Sequence, residues 1–152
     1  MKRFFALVLA AVMAVSVFAG CGGGGKDLKE TMKTINSTYS LSLKELENKD
    51  DLKKYYSINP DSVKQFAAEI DSNNNAPVEI VLVEAKDSAA ADEVEKALGG
   101  RYNSIISQYA SYTPEKLDMV KACKVSKDGN YVSLIVAENG PEILKTFQDS
   151  IK

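Results

Sequence analysis

The residue with the clearest chemical consequence is Cys21, which follows Phe18-Ala19-Gly20 at the end of an apolar run. The run covers residues 4–18 and begins directly after Lys2 and Arg3. Two cations, an apolar stretch and small residues before a cysteine are the parts of an export signal whose cysteine accepts a diacylglycerol group. The pattern predicts a bacterial lipoprotein signal peptide at residues 1–20, cleaved between Gly20 and Cys21.

A transmembrane helix is the alternative interpretation of this run. Its 15 residues fall short of the roughly 18 to 20 apolar residues that cross a bilayer. The four glycines Gly22–Gly25 follow the cysteine and reach at most about 14 Å when extended. We therefore expect residues 21–26 to be a tether, held to membrane lipid through acylated Cys21, and residues 27–152 to be a single domain at the extracytoplasmic face of the cell membrane.

The charge and cysteine content of the chain limit its possible partners and the role of its second thiol. Cleavage would leave 132 residues with 17 basic and 21 acidic side chains, a formal charge of −4, which disfavours nucleic acid as a partner. With Cys21 acylated, Cys123 is the remaining thiol, and we expect it to be a small buried residue. A chain of this size can build a hydrophobic core without disulfides. We also expect the protein to bind no cofactor.

The chain contains no histidine, which removes the commonest general base and metal ligand. Ser-His-Asp and Cys-His nucleophile systems and His-ligated zinc sites are therefore excluded. Paired carboxylates are the remaining catalytic chemistry, as in glycoside hydrolysis. Glu79 and Glu84 are five residues apart on one predicted strand and so face opposite sides, while Glu138 could join either of them.

Asp71, Asn73 and Asn75 occupy the first, third and fifth positions of a calcium-binding loop template. The sixth position is Ala76 where glycine is required, and the twelfth is Leu82 where a bidentate glutamate is required. The sequence therefore predicts a polar turn here and no metal site.

Tyr102, Tyr109 and Tyr112 form the aromatic cluster of a predicted long helix, at spacings of seven and three. Two interpretations are open: the rings pack against the sheet with their hydroxyls at the rim, or they form a platform for a sugar or peptide. Arg101 precedes them and could add a polar contact. These four residues are the candidate binding surface.

Periodicity and capping residues predict an α+β domain whose helices pack on one face of a small sheet. The predicted helices cover residues 27–38, a short segment from Asp50 carrying Leu52, Tyr55 and Tyr56, residues 60–70, 89–112 with a kink or break at Gly99-Gly100, 114–121, and a terminal segment from 140.

Three strands are predicted, at 78–85, 122–127 and 130–137, the last two joined by a hairpin at Asp128-Gly129. The most apolar of them, 130–137, suits the centre, and lysines suit 122–127 to an edge. The predicted order is 78–85, 130–137, 122–127, an antiparallel sheet with split β-α-β topology.

The chain resembles small lipoproteins of Gram-positive, mostly clostridial, bacteria that carry the domain of unknown function 4358. The matching residues are Asp51 to Pro60, Val78-Glu79-Ile80, Val94, Leu98, Arg101, Tyr112-Thr113-Pro114 and Gly129-Asn130-Tyr131-Val132. They are core, turn and cap residues, so the resemblance implies kinship and no activity. Where the family has a glycine before the Ile-Asx-Pro turn, this chain has Ser57.

Two functions are consistent with the sequence. The first is a non-enzymatic binding or assembly module whose partner is an envelope protein or wall component. The second is a small envelope hydrolase that uses carboxylates. Two buried, facing carboxylates in a cleft would favour the hydrolase.

Overall fold

The computed structural model describes residues 26–71 and 78–152, which form five α-helices and five β-strands. In chain order the elements are α1 Leu28–Tyr39, β1 Lys44–Glu45, α2 Lys49–Tyr56, β2 Val63–Ile70, β3 Glu79–Ala85, α3 Ser88–Tyr112, α4 Leu117–Ala122, β4 Lys124–Asp128, β5 Tyr131–Val136 and α5 Gly140–Ser150. Short 3-10 turns at Pro60–Ser62 and Pro114–Lys116 precede β2 and α4.

The strands form one antiparallel sheet in the order β1-β2-β3-β5-β4. The three predicted strands lie in the predicted order, with β5 between β3 and β4. Gly129, at φ +62°, turns the β4–β5 hairpin. The predicted three-stranded sheet was incomplete, because β2 and the short β1 extend it beyond β3.

Residues 63–70 form strand β2, so the predicted helix at 60–70 was wrong. Val63 and Phe66 are three residues apart and both buried, which is the spacing of a helix. In the structure an irregularity in the register between Val63 and Gln65 adds one residue and brings both side chains to the same face of the sheet. The Asn59-Pro60 signal begins only the 3-10 turn.

Helices cover both faces of the sheet, which corrects the prediction of a single covered face. Helices α1 and α5 pack on one face, around Leu28, Ile35 and Phe147. Helices α2, α3 and α4 pack on the other. All seven residues of β3 are consequently buried, as expected for an apolar run in a strand covered on two sides.

Helix α3 is continuous over 25 residues and passes through Gly99-Gly100 without the predicted break. Buried Leu98 and Ile105 on either side of the glycines pack into the core. Packing of an apolar face therefore outweighs the low helix propensity of glycine.

Candidate functional site

The chain enters the described structure at one end of the sheet. The backbone N–H of Lys26 donates to the Tyr131 hydroxyl at 3.2 Å, and its carbonyl accepts from Gln65 Nε2 at 2.7 Å. Asp27 then caps α1 by accepting from the amides of Lys29 and Glu30. Cys21 and the glycine tether lie outside the described residues, but the point at which they join the domain is defined.

A polar groove lies between α2 and α3 near the start of β3. It contains a cavity of about 260 Å³ lined by Tyr55, Tyr56, Glu79, Arg101, Gln108 and Tyr109, among others. A second, more open depression of about 560 Å³ continues along α3 and shares three of these residues. We call the two together the α2–α3 groove. Asp71 and Val78 line the first cavity, and the segment between them, 72–77, is not described.

An ion pair between Arg101 and Glu79 forms part of this groove. Arg101 Nε lies 3.1 and 3.2 Å from the two carboxylate oxygens, and Nη2 lies 2.7 Å from Oε2. The Glu79 side chain is 6% exposed and that of Arg101 is 37% exposed. Hydrogen bonding to Glu79 raises the pKa of Arg101. The ion pair fixes the positions of both side chains.

Tyr56 contributes a buried hydroxyl to the same wall. The residue is 3% exposed, and its hydroxyl makes no hydrogen bond to the described residues. Burial, followed by the charge of nearby Glu79, raises the pKa of Tyr56, so the phenol stays protonated. The Glu79 carboxylate lies nearby, but both of its oxygens accept hydrogen bonds from Arg101. A buried polar group without a partner is uncommon and calls for an explanation.

The four predicted surface residues are divided between different environments. Arg101 and Tyr109 line the groove, where Tyr109 is buried and burial raises its pKa. The Tyr102 hydroxyl instead bonds to the carbonyls of Val120 at 2.9 Å and Cys123 at 2.7 Å, which links α3 to the end of α4. Tyr112 is 83% exposed at the end of α3.

The structure places Tyr56 in the groove, and it gives Glu79, which the sequence argument had considered only as one of a pair of catalytic carboxylates, a partner in Arg101. Tyr56 had been assigned only to a short helix. A carboxylate that opens a doubly covered strand must find a cation, because an unpaired buried charge is costly. This requirement could have predicted the Glu79–Arg101 ion pair from the sequence, because Arg101 is the one arginine of the predicted long helix.

The candidate catalytic carboxylates are separated. Glu84 lies on the α1 face, where it accepts from Lys64 Nζ at 2.6 Å and Gln65 Nε2 at 2.5 Å. Burial raises the pKa of Glu84, but these hydrogen bonds outweigh it and lower the pKa. Glu79 lies on the opposite face, and Glu138 is exposed beside a different depression of about 330 Å³.

Within 26–71 and 78–152, no three acidic or cysteine side chains are grouped so as to hold a metal ion. Leu82, the twelfth position of the loop template, is fully buried in β3. In the same ranges no helix has the length and hydropathy needed to cross a membrane.

Comparison with known proteins identifies a family. The family model described as Domain of unknown function (DUF4358) matches residues 36–137, which is about two thirds of the chain and includes β1 to β5, α2, α3 and the groove between those helices. No curated protein and no solved structure matches the chain.

Proposed function

We propose that this chain, which belongs to the DUF4358 family, is a non-enzymatic binding module of the cell envelope, anchored by a lipid on Cys21 and binding its partner in the α2–α3 groove. The observation that carries the proposal is the buried Tyr56 hydroxyl, which has no hydrogen-bond partner among residues 26–71 and 78–152 and lies beside a fixed Arg101–Glu79 pair. A rigid polar wall with one unsatisfied group is suited to a ligand that supplies the missing hydrogen bond.

The position of the tether supports this arrangement. Lys26 is held by Gln65 and Tyr131, both paired with Glu84 in the sheet. The groove begins at Glu79, five residues away along β3, which is about 17 Å in an extended strand. A domain held close to the bilayer at Lys26 would therefore present the groove toward the cell exterior.

The state of Glu79 favours binding over hydrolysis. Asp71 also lines the cavity, but both Glu79 oxygens accept hydrogen bonds from Arg101. A carboxylate whose two oxygens both accept from a guanidinium is held by its partner rather than aimed at a substrate. Retaining and inverting glycosidases each need a carboxyl group that can donate a proton.

The anchor is tested by membrane fractionation of the full chain. Cys21→Ala should release the protein from membranes or leave an uncleaved precursor, since the lipid acceptor is gone. Cys123→Ala is the matched control, because it removes the other thiol and should leave the protein in the membrane fraction. Normal cleavage and membrane retention of Cys21→Ala would overturn the anchor.

The groove is tested by photo-crosslinking in intact cells. A photoreactive residue at Gln108, which is exposed and lines the groove, should give an adduct identified by mass spectrometry. The same residue at Lys145, exposed on α5 at the opposite face, is the control. No adduct at 108, or equal adducts at both positions, would contradict binding in the groove.

A further inference from the structure

We infer that the ligand of the α2–α3 groove is a neutral, hydroxyl-rich saccharide. This inference rests on the proposed function, because it names the chemical class of ligand for the same groove. Three properties of the lining support it: the charge balance, the mixture of hydrogen-bond donors and acceptors, and the aromatic rings beside them.

The charges in the groove nearly cancel. The first cavity holds Arg101 with Glu79 and Asp71, and the adjoining depression adds Lys96 and Glu93. Arg101 is already paired with Glu79, so it offers little net attraction to an anionic ligand, and exposed Glu93 in the adjoining depression repels one. A cationic ligand would have to approach the fixed guanidinium. A neutral ligand avoids both of these unfavourable charge interactions.

The polar groups of the groove both donate and accept. The Tyr56 hydroxyl and the Gln108 amide can each donate or accept a hydrogen bond, and the Glu79 carboxylate accepts. The hydrogen bonds of Arg101 to Glu79 use Nε and Nη2, so the Nη1 group can donate to a ligand. A sugar hydroxyl also donates and accepts, so it can bridge such groups without leaving one unsatisfied. The buried Tyr56 hydroxyl then gains the partner that it lacks in the described structure.

Aromatic rings flank these polar groups. Tyr55 is 39% exposed, and Tyr109 lines the cavity from α3. An aromatic face packs against the C–H groups of a sugar ring while polar groups at its edge bind the hydroxyls.

A peptide is the competing macromolecular ligand, and the groove fits it less well. The ends of β2 and β3 also line the groove, but Ile70 pairs with Lys44 and Glu79, and Glu79 pairs with Val136. These strand ends therefore offer no free edge to which a peptide could add its own strand. The side chains that line the first cavity are mainly polar, with few apolar positions to receive alternate side chains of an extended peptide.

The test uses the full chain in detergent and three soluble tetrasaccharides measured by titration calorimetry. They are the β-1,4-linked tetramer of N-acetylglucosamine, which is neutral, its deacetylated cationic form, and an anionic tetramer of galacturonic acid. We expect the neutral tetramer to bind at least tenfold more tightly than either charged one. Equal binding of all three, or binding of none, would overturn the inference.

Tyr56→Phe separates a binding role from a structural one. Removing an unpartnered hydroxyl should leave the melting temperature unchanged or higher, while the neutral tetramer binds at least fivefold more weakly. Tyr39→Phe is the matched control, since its hydroxyl bonds to Thr146 on the other face, and it should bind the tetramer normally. Unchanged affinity in Tyr56→Phe would also overturn the inference.

The two proposals fail in different ways. A peptide-containing adduct at position 108, without binding of any tetramer, would rule out the saccharide as the ligand but would still support the binding module. The absence of an adduct at position 108, together with no binding of any tetramer, would rule out both the saccharide ligand and the binding module.

Discussion

Gly140, the first residue of α5, lies directly against the thiol of Cys123, which follows α4. A Cβ atom added at Gly140 would be 2.6 Å from Cys123 Sγ. Cys123 is buried, and its Sγ lies 3.4 Å from the carbonyl oxygens of Met119 and Ala137. Burial raises the pKa of the Cys123 thiol, which fits the predicted small buried residue. The close contact joins the start of α5 to the end of α4.

Gly140→Ala should lower the free energy of unfolding by about 1 to 3 kcal/mol, the usual cost of overpacking. Gly99→Ala is the control: an added Cβ there meets nothing within 4 Å, and alanine should stabilise the helix by up to about 1 kcal/mol. Chemical denaturation measures both. Adding Cys123→Ala should recover part of the Gly140→Ala loss. Equal effects of the two glycine substitutions would contradict the contact.

Ser57→Gly should stabilise the protein by about 1 kcal/mol. Ser57 ends α2 at φ +59°, in the left-handed region that glycine adopts without a steric cost and other residues adopt at about 1 to 2 kcal/mol. This is the position at which the resemblance led us to expect glycine. Ser107→Gly, on the exposed side of α3, should instead destabilise by about 0.5 to 1 kcal/mol. Thermal melting of the two variants should shift in opposite directions.

Arg101→Ala should destabilise the fold, because it leaves Glu79 buried without its cation. Removing one partner of a fully buried pair costs about 3 to 5 kcal/mol, and we expect about 2 kcal/mol since Arg101 is partly exposed. Arg101→Lys should recover little of this, because lysine lacks the forked geometry. Adding Glu79→Gln to Arg101→Ala should restore stability, and a strictly additive loss in denaturation would show that the pair is not coupled.

Glu69→Gln should stabilise the protein at pH 7 by about 1 kcal/mol. Glu69 is buried on β2 and accepts from Asn36 Nδ2 at 2.9 Å through both oxygens, while Asn36 Oδ1 is buried without a partner among the described residues. A glutamine amide can donate to that oxygen. Burial also raises the pKa of Glu69, although the Asn36 hydrogen bond opposes the shift.

The pH dependence of this effect has a definite sign. A raised carboxyl pKa in the folded state means that the folded protein binds the proton more readily, so the natural chain gains stability as pH falls through that pKa. The advantage of Glu69→Gln should therefore shrink between pH 7 and pH 4. Glu47→Gln, at an exposed site, should change little at either pH. A constant or growing advantage in melts at low pH would contradict the assignment.

Local sequence patterns were sufficient for much of the fold. The spacing of Leu28, Met32 and Ile35 identified α1, and Asp128-Gly129 identified the hairpin. The apolar run after Val78 identified a strand, although the prediction placed it at an edge of the sheet and it lies at the centre. These features depend on neighbours within a few residues, where side-chain periodicity and turn chemistry act directly.

Residues 63–70 and the groove were decided by contacts distant in sequence. Val63, Phe66, Ala67 and Ile70 suit a helix by spacing, but the open edge of β3 needs backbone hydrogen bonds, and pairing with it makes this segment a strand. In the groove, Tyr56, Glu79 and Arg101 are each more than 20 residues apart. Only the packing of α2 and α3 on the same face of β3 brings them together, because a buried carboxylate and its cation must meet in space rather than along the chain.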